Sequence, residues 1–122
     1  MTPAFGAIGA LAPQCIVDGV LARVLHGASL TLGVIELEPD ADLPEHHHVN
    51  EQLGMVVSGS LEMTLAGESR TLGPGDTWTI PPGVPHSVRA GGAGAVAIDV
   101  FSPPREDWRA LEELPARAPS WP

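Results

Sequence analysis

His46 and His48 stand two residues apart in a stretch that reads as extended chain. Side chains at i and i+2 of a strand project from the same face. Two imidazoles so placed can converge on one metal ion, at metal–nitrogen distances of about 2.0–2.1 Å. His47 lies between them with the opposite parity and is expected on the solvent side. Gln52 opens the next extended run, and its amide oxygen can serve as a hard ligand. It shares a face with Gly54 and Val56, whereas Glu51 has the opposite parity, so Gln52 is the expected ligand of the two. His86 follows the turn Pro81-Pro82-Gly83-Val84-Pro85. Proline fixes φ and lowers the entropy cost of holding the next residue in place, which suits delivery of a third imidazole. His46, His48, Gln52 and His86 together predict a site for one divalent transition metal. Such a mixed nitrogen and oxygen set does not select among Zn, Ni, Fe and Mn.

A second feature lies downstream. Asp99 interrupts the apolar run Ala95–Phe101. A carboxylate there is costly unless it is paired or faces a cavity. Phe101 shares its face, while Ile98 and Val100 point the other way. Two readings stay open from periodicity: an ion pair with Arg105, or a general acid or base beside the metal. His26 reads as an ordinary surface or core histidine, and Arg70 and Arg89 as surface charges. Trp78 reads as packing in the core or against a second subunit, as do Met55 and Met63. There is no Gly-rich phosphate loop and no visible nucleophile–base constellation.

These residues need a scaffold of short strands. The chain between Val17 and Phe101 is a series of β-rich runs separated by Gly and Pro turns, the pattern of an all-β sandwich or barrel. The expected runs are Val17–Leu25, Leu30–Leu37, Leu43–Val49, Gln52–Val57, Ser60–Leu65, Glu68–Leu72, Thr77–Ile80, His86–Ala90 and Ala95–Phe101. Ser58-Gly59 and Gly91-Gly92-Ala93-Gly94 read as turns. One helix is predicted, from Ser102 to about Glu113. It is marked by a Ser cap, two prolines and acidic residues at its start, and Pro115 ends it. Ala116–Pro122 reads as a loosely ordered tail. The whole, residues 1–122, is expected to be one domain: a barrel core over about 30–101, N-terminal strands over 5–29, and the helix and tail over 102–122.

Composition narrows the partners. With 15 acidic and 6 basic residues the formal net charge is −9, so the basic footprint that a phosphate backbone requires is missing. Nucleic acid is excluded on that ground, and anionic membrane surfaces are disfavoured. The single cysteine, Cys15, cannot form an internal disulfide and reads as a small buried hydrophobe. The N-terminal stretch lacks a basic region and is broken by Pro3, Gly6, Gly9 and Pro13, so no signal peptide or membrane span is expected and the cytoplasm is the default location.

The motifs resemble those of the cupin family, G-x5-H-x-H-x3,4-E-x6-G and G-x5-P-x-G-x2-H-x3-N. The first falls on Asp40, His46, His48, Gln52 and Gly59, the second on Gly75, Pro81, Gly83, His86 and Ala90. Asp40 replaces Gly, Gln52 replaces Glu and Ala90 replaces Asn. The resemblance implies an all-β, double-stranded β-helix (jelly-roll) barrel. Exchanging Glu for Gln leaves the ion's charge uncompensated, which should draw an anionic substrate oxygen. The segment from Asp99 through Phe101 to Arg105 is similar to the KdgF-type cupins, which convert 4,5-unsaturated uronates into linear keto sugars. That likeness implies metal ligands at His46, His48, Gln52 and His86, and further site residues at Asp99, Phe101 and Arg105. Asp99 would move a proton, Phe101 would wall the cavity, and Arg105 would pair with the uronate carboxylate. A metal-dependent lyase or isomerase acting on a small anionic sugar is the expected function. An Fe-dependent dioxygenase and a non-enzymatic sensor or binding module are the alternatives. A homodimer through the apolar Ile8–Val24 region is expected of small cupins.

Overall fold

The computed structural model describes residues 3–122. Eight strands form one sheet that curls on itself: β1 (Gln14–Val17), β2 (Val20–His26), β3 (Thr31–Leu37), β4 (Asp42–His46), β5 (Glu51–Leu65), β6 (Glu68–Leu72), β7 (Thr77–Ile80) and β8 (His86–Ser102). The order is β1-β2-β3-β8-β5-β6, with β4 paired to β8 and β7 to β5. Every pairing is antiparallel. This is the all-β jelly-roll barrel that the motifs imply.

Two long strands build the barrel. One part of β5 pairs with β7 and the other with β6, while β8 pairs with β4 at one end and β3 at the other. Ser58-Gly59 and Gly91–Gly94, expected as turns, are bends inside these continuous strands. Register shifts between Val56 and Ser58, and between Gly59 and Leu61, mark β-bulges that carry β5 round the corner. Gly59 adopts φ +71 there, and a Cβ would lie 2.1 Å from the Gly94 carbonyl oxygen, so both conformation and space require glycine.

Three other expectations are corrected. The helix from Ser102 to Glu113 is only a 3-10 turn over Glu106–Ala110. Its cap position is Arg105 rather than Ser102, whose hydroxyl donates instead to the Ser29 carbonyl. Pro103 and Pro104 lack N–H groups, and the Arg105 N–H is taken by Thr31 Oγ1, so no helical ladder starts here. Secondly, the tail is tied down: Ser120 N–H donates to Glu36 Oε1, and the Arg117 carbonyl accepts from Arg23 Nη2. Thirdly, Cys15 is half-buried rather than buried.

The core gathers Val20, Ala22, Ile35, Leu37, Val56, Leu61, Met63, Ile80, Val88 and Phe101 inside the curl. Val20, Leu21 and Ala22 are buried within the chain itself, so part of the apolar Ile8–Val24 stretch is already used. No helix among the described residues is long and apolar enough to cross a membrane.

Candidate metal centre

β4 and β8 set two imidazoles directly opposite one another, because His46 and His86 are cross-strand partners. Their ring centroids are 4.2 Å apart. His48 is delivered differently from the expectation: β4 ends at His46, and His48 sits in the loop that follows. That loop is anchored by the Gly83 N–H, which donates to the His48 carbonyl at 2.8 Å. The Pro-rich turn before His86 thereby also fixes the segment carrying His48. His47 is exposed, on the solvent side.

The three rings share a hydrogen-bond pattern. Each Nδ1 lies against a backbone carbonyl: His46 on Pro44 at 2.9 Å, His48 on Asn50 at 3.0 Å and His86 on Val84 at 2.9 Å. A carbonyl only accepts, so each Nδ1 carries the hydrogen and each Nε2 offers a lone pair. His86 Nε2 is buried and has no hydrogen-bond partner among the described residues. His48 Nε2 lies 3.0 Å from Gln52 Oε1. Both of those atoms are acceptors, a contact that is unfavourable without a cation between them. Potential ligand atoms of His46, His48 and His86 all lie within 4.8 Å of one another. Converging lone pairs at this spacing fit one divalent ion, and the orphaned His86 Nε2 is the atom that would otherwise go unsatisfied. Burial pushes His86 down to about 4 and also lowers His48, with the Arg105 charge adding to both, so these rings are neutral at pH 7.

Behind the carboxamide stands Asp99. Its Oδ1 accepts Gln52 Nε2–H at 2.9 Å and Trp78 Nε1–H at 2.7 Å. The negative charge absent from the Gln52 position is therefore supplied one hydrogen bond away. Asp99 is 6% exposed, and burial pushes it up to about 6 against the lowering effect of Gln52, Trp78 and Arg105. The ion pair with Arg105 that periodicity left open is not formed. Arg105 instead forms two hydrogen bonds to Asp107, Nε to Oδ1 at 3.0 Å and Nη2 to Oδ2 at 2.9 Å. The guanidinium carbon lies 4.7 Å from the Phe101 ring centre and 4.3 Å from that of Trp108. Asn50 Nδ2, donating to the Pro103 carbonyl at 2.6 Å, ties this segment to the His48 loop. Phe101 also stands edge-on to His48, at 5.6 Å between centroids.

Most of these groups border one cavity of about 240 Å³, whose lining includes His46, Gln52, His86, Asp99, Phe101 and Arg105, while His48 reaches the cluster from the loop beside it. The rest of its wall is apolar, with Leu43, Leu61, Met63 and Val88 among the contributors. Sequence reasoning overlooked Trp78, Asp107 and Trp108. Trp78 gave no signal beyond a core aromatic, and Asp107 looked like a helix-start acid.

Comparison with known proteins follows the same line. The family described as "Cupin domain" matches residues 33–101, and the chain belongs to that family. The chain is 37% identical over 65 residues to the pectin degradation protein KdgF of Dickeya dadantii (strain 3937), covering 53% of this chain and 59% of that protein. The structure of KdgF from Halomonas sp. superposes with a TM-score of 0.79 at 30% identity, over 87% of this chain and 98% of that one. An RmlC-like cupin from Shewanella frigidimarina NCIMB 400 gives a TM-score of 0.81 at 28% identity, over 87% and 96% of the two chains. Together these matches place the chain with the KdgF-type cupins.

Proposed function

We propose that this chain is a metal-dependent lyase or isomerase that opens a 4,5-unsaturated uronate to a linear keto sugar. The observation that carries the reading is the clustering of three imidazoles with a carboxamide oxygen, a buried carboxylate and an aromatic-stacked guanidinium around one cavity. The likeness to a pectin degradation protein supports the substrate class.

His46, His48, Gln52 and His86 would hold the ion, which when bound supplies Lewis acidity toward a sugar oxygen. Asp107 occupies the Nε/Nη2 edge of Arg105. The end-on Nη1/Nη2 edge is left to take the two oxygens of the uronate carboxylate. The guanidinium sits over the rings of Phe101 and Trp108, which touch each other edge-on, and both rings exclude water from it. Asp99 Oδ2 makes no hydrogen bond among the described residues, and it is the oxygen that moves the proton. As the ring opens, the proton leaving the anomeric hydroxyl is balanced by one delivered to the ring carbon of the former double bond, and the enol becomes a ketone. The reaction is an isomerisation and needs no co-substrate.

Unsaturated galacturonate and unsaturated mannuronate, incubated with metal-loaded protein, test this reading. Loss of the C=C absorbance with at least one of them is expected, and abolition of that loss after chelation. Stable absorbance of both substrates with every metal tried contradicts it.

A further inference from the structure

We infer that Trp78 is a positioning residue of the metal centre: its indole N–H, passing over Gly54, fixes Asp99 and through it the way round that the Gln52 carboxamide sits. The inference rests on the metal-centre reading above and adds to it a residue outside the ligand set.

An indole N–H can only donate. Because Trp78 Nε1–H points at Asp99 Oδ1 from 2.7 Å, that oxygen must be an acceptor. Gln52, meeting the same oxygen at 2.9 Å, must then present its NH2 group there. Its Oε1 is thereby turned to the imidazoles, 3.0 Å from His48 Nε2. A carboxamide is nearly symmetric in shape, so only its hydrogen-bond partners decide which end faces the ion. With the opposite orientation the NH2 group would face the ion, and a ligand would be lost. Without the indole N–H, the Asp99 carboxylate is held by Gln52 alone and can turn about its Cβ–Cγ bond.

The register shows what this bond requires. On β5, Gly54 pairs with Trp78 on one side and Asp99 on the other. The two side chains close over it, so a Cβ at Gly54 would stand 2.2 Å from Asp99 Oδ1 and 2.3 Å from Trp78 Nε1. Gly54 is not in the left-handed region, so the requirement is space rather than backbone conformation. Bulk at this position breaks the Trp78–Asp99 contact without touching a ligand.

Co(II) titration followed by visible absorption tests the role without any substrate. Trp78→Phe keeps the ring and removes the N–H, and Gly54→Ala keeps the indole and displaces it. Both are expected to bind Co(II) about 10-fold more weakly than wild type and with an altered d–d spectrum, as supporting residues of metal ligands do. Wild-type affinity and spectrum in both variants would overturn the role of Trp78 and leave the metal centre standing. Failure of wild type itself to bind Co(II) would overturn both. Should neither variant fold, hydrogen exchange of the Trp78 indole in wild-type protein decides: protection is expected, and exchange at the rate of free tryptophan refutes the bond.

Discussion

Arg105 gathers the most interactions of any proposed substrate-facing residue. Its side chain is 8% exposed, packs over two aromatic rings and is paired along one edge with Asp107. A lysine cannot reproduce that arrangement, because its ammonium is a point charge without a planar fork. Arg105→Lys is therefore expected to raise KM for an unsaturated uronate about 10-fold or more and to change kcat less, as steady-state kinetics would show. An unchanged KM would remove Arg105 from carboxylate binding. At this scale the sequence was informative where the cue was local. The parity of Gln52 and the proline-stiffened approach to His86 depend only on nearby chain, whereas the two-residue spacing of His46 and His48 rested on a strand that ends at His46, and the loop after β4 delivers His48 instead. The partners of Arg105 and Asp99 were not legible. Asp107 reads as an acid at a helix start, and Trp78 as a core aromatic, until the sheet brings β7, β5 and β8 side by side.

The elements explain why these side chains meet. β5 and β8 each run through the barrel, bending where glycine tolerates conformations closed to other residues. At the β5 bulge a methyl group on Gly59 would meet the Gly94 carbonyl while holding φ at +71. Gly59→Ala is expected to destabilise the fold by about 2 kcal/mol or more, measured by denaturant unfolding. A change near zero would mean that the corner relaxes freely. The same glycines explain why the sequence suggested turns, since turn residues and bulge residues share a composition. Asp40, which replaces the first motif's glycine, has φ +60, a conformation Asp tolerates better than most residues. The Ser102–Asp107 segment imitates a helix start for a related reason. Cap residues and prolines also suit a crossing loop, and the tertiary bonds of Asn50 and Thr31 decided the outcome.

Across the whole molecule, the C-terminal tail is held by a buried ion pair on β2 and β3. Arg23 is 0% exposed, pairs with Glu36 and donates to the Arg117 carbonyl, while Glu36 accepts the Ser120 N–H. Burial alone would push the Glu36 carboxyl up, but the Ser120 bonds and the Arg23 guanidinium outweigh it and hold it below its usual range. A depressed carboxyl stabilises the fold above the unfolded-state value and loses that contribution as the pH falls through the folded one. Unfolding midpoints should therefore drop in mild acid, and the drop should shrink in Glu36→Ala. That variant strands the Arg23 charge and is expected to cost about 3–5 kcal/mol at neutral pH. Equal acid sensitivity in both proteins would discount the pair. The claim on which the functional reading depends is that His46, His48, Gln52 and His86 meet at one ion. Elemental analysis of purified protein incubated with Zn, Ni, Fe or Mn tests it most directly. One ion per chain is expected in wild type, with loss of that ion in His86→Ala while circular dichroism still reports the barrel. Wild-type protein that retains none of the four metals, or His86→Ala protein that keeps a full equivalent, would contradict it.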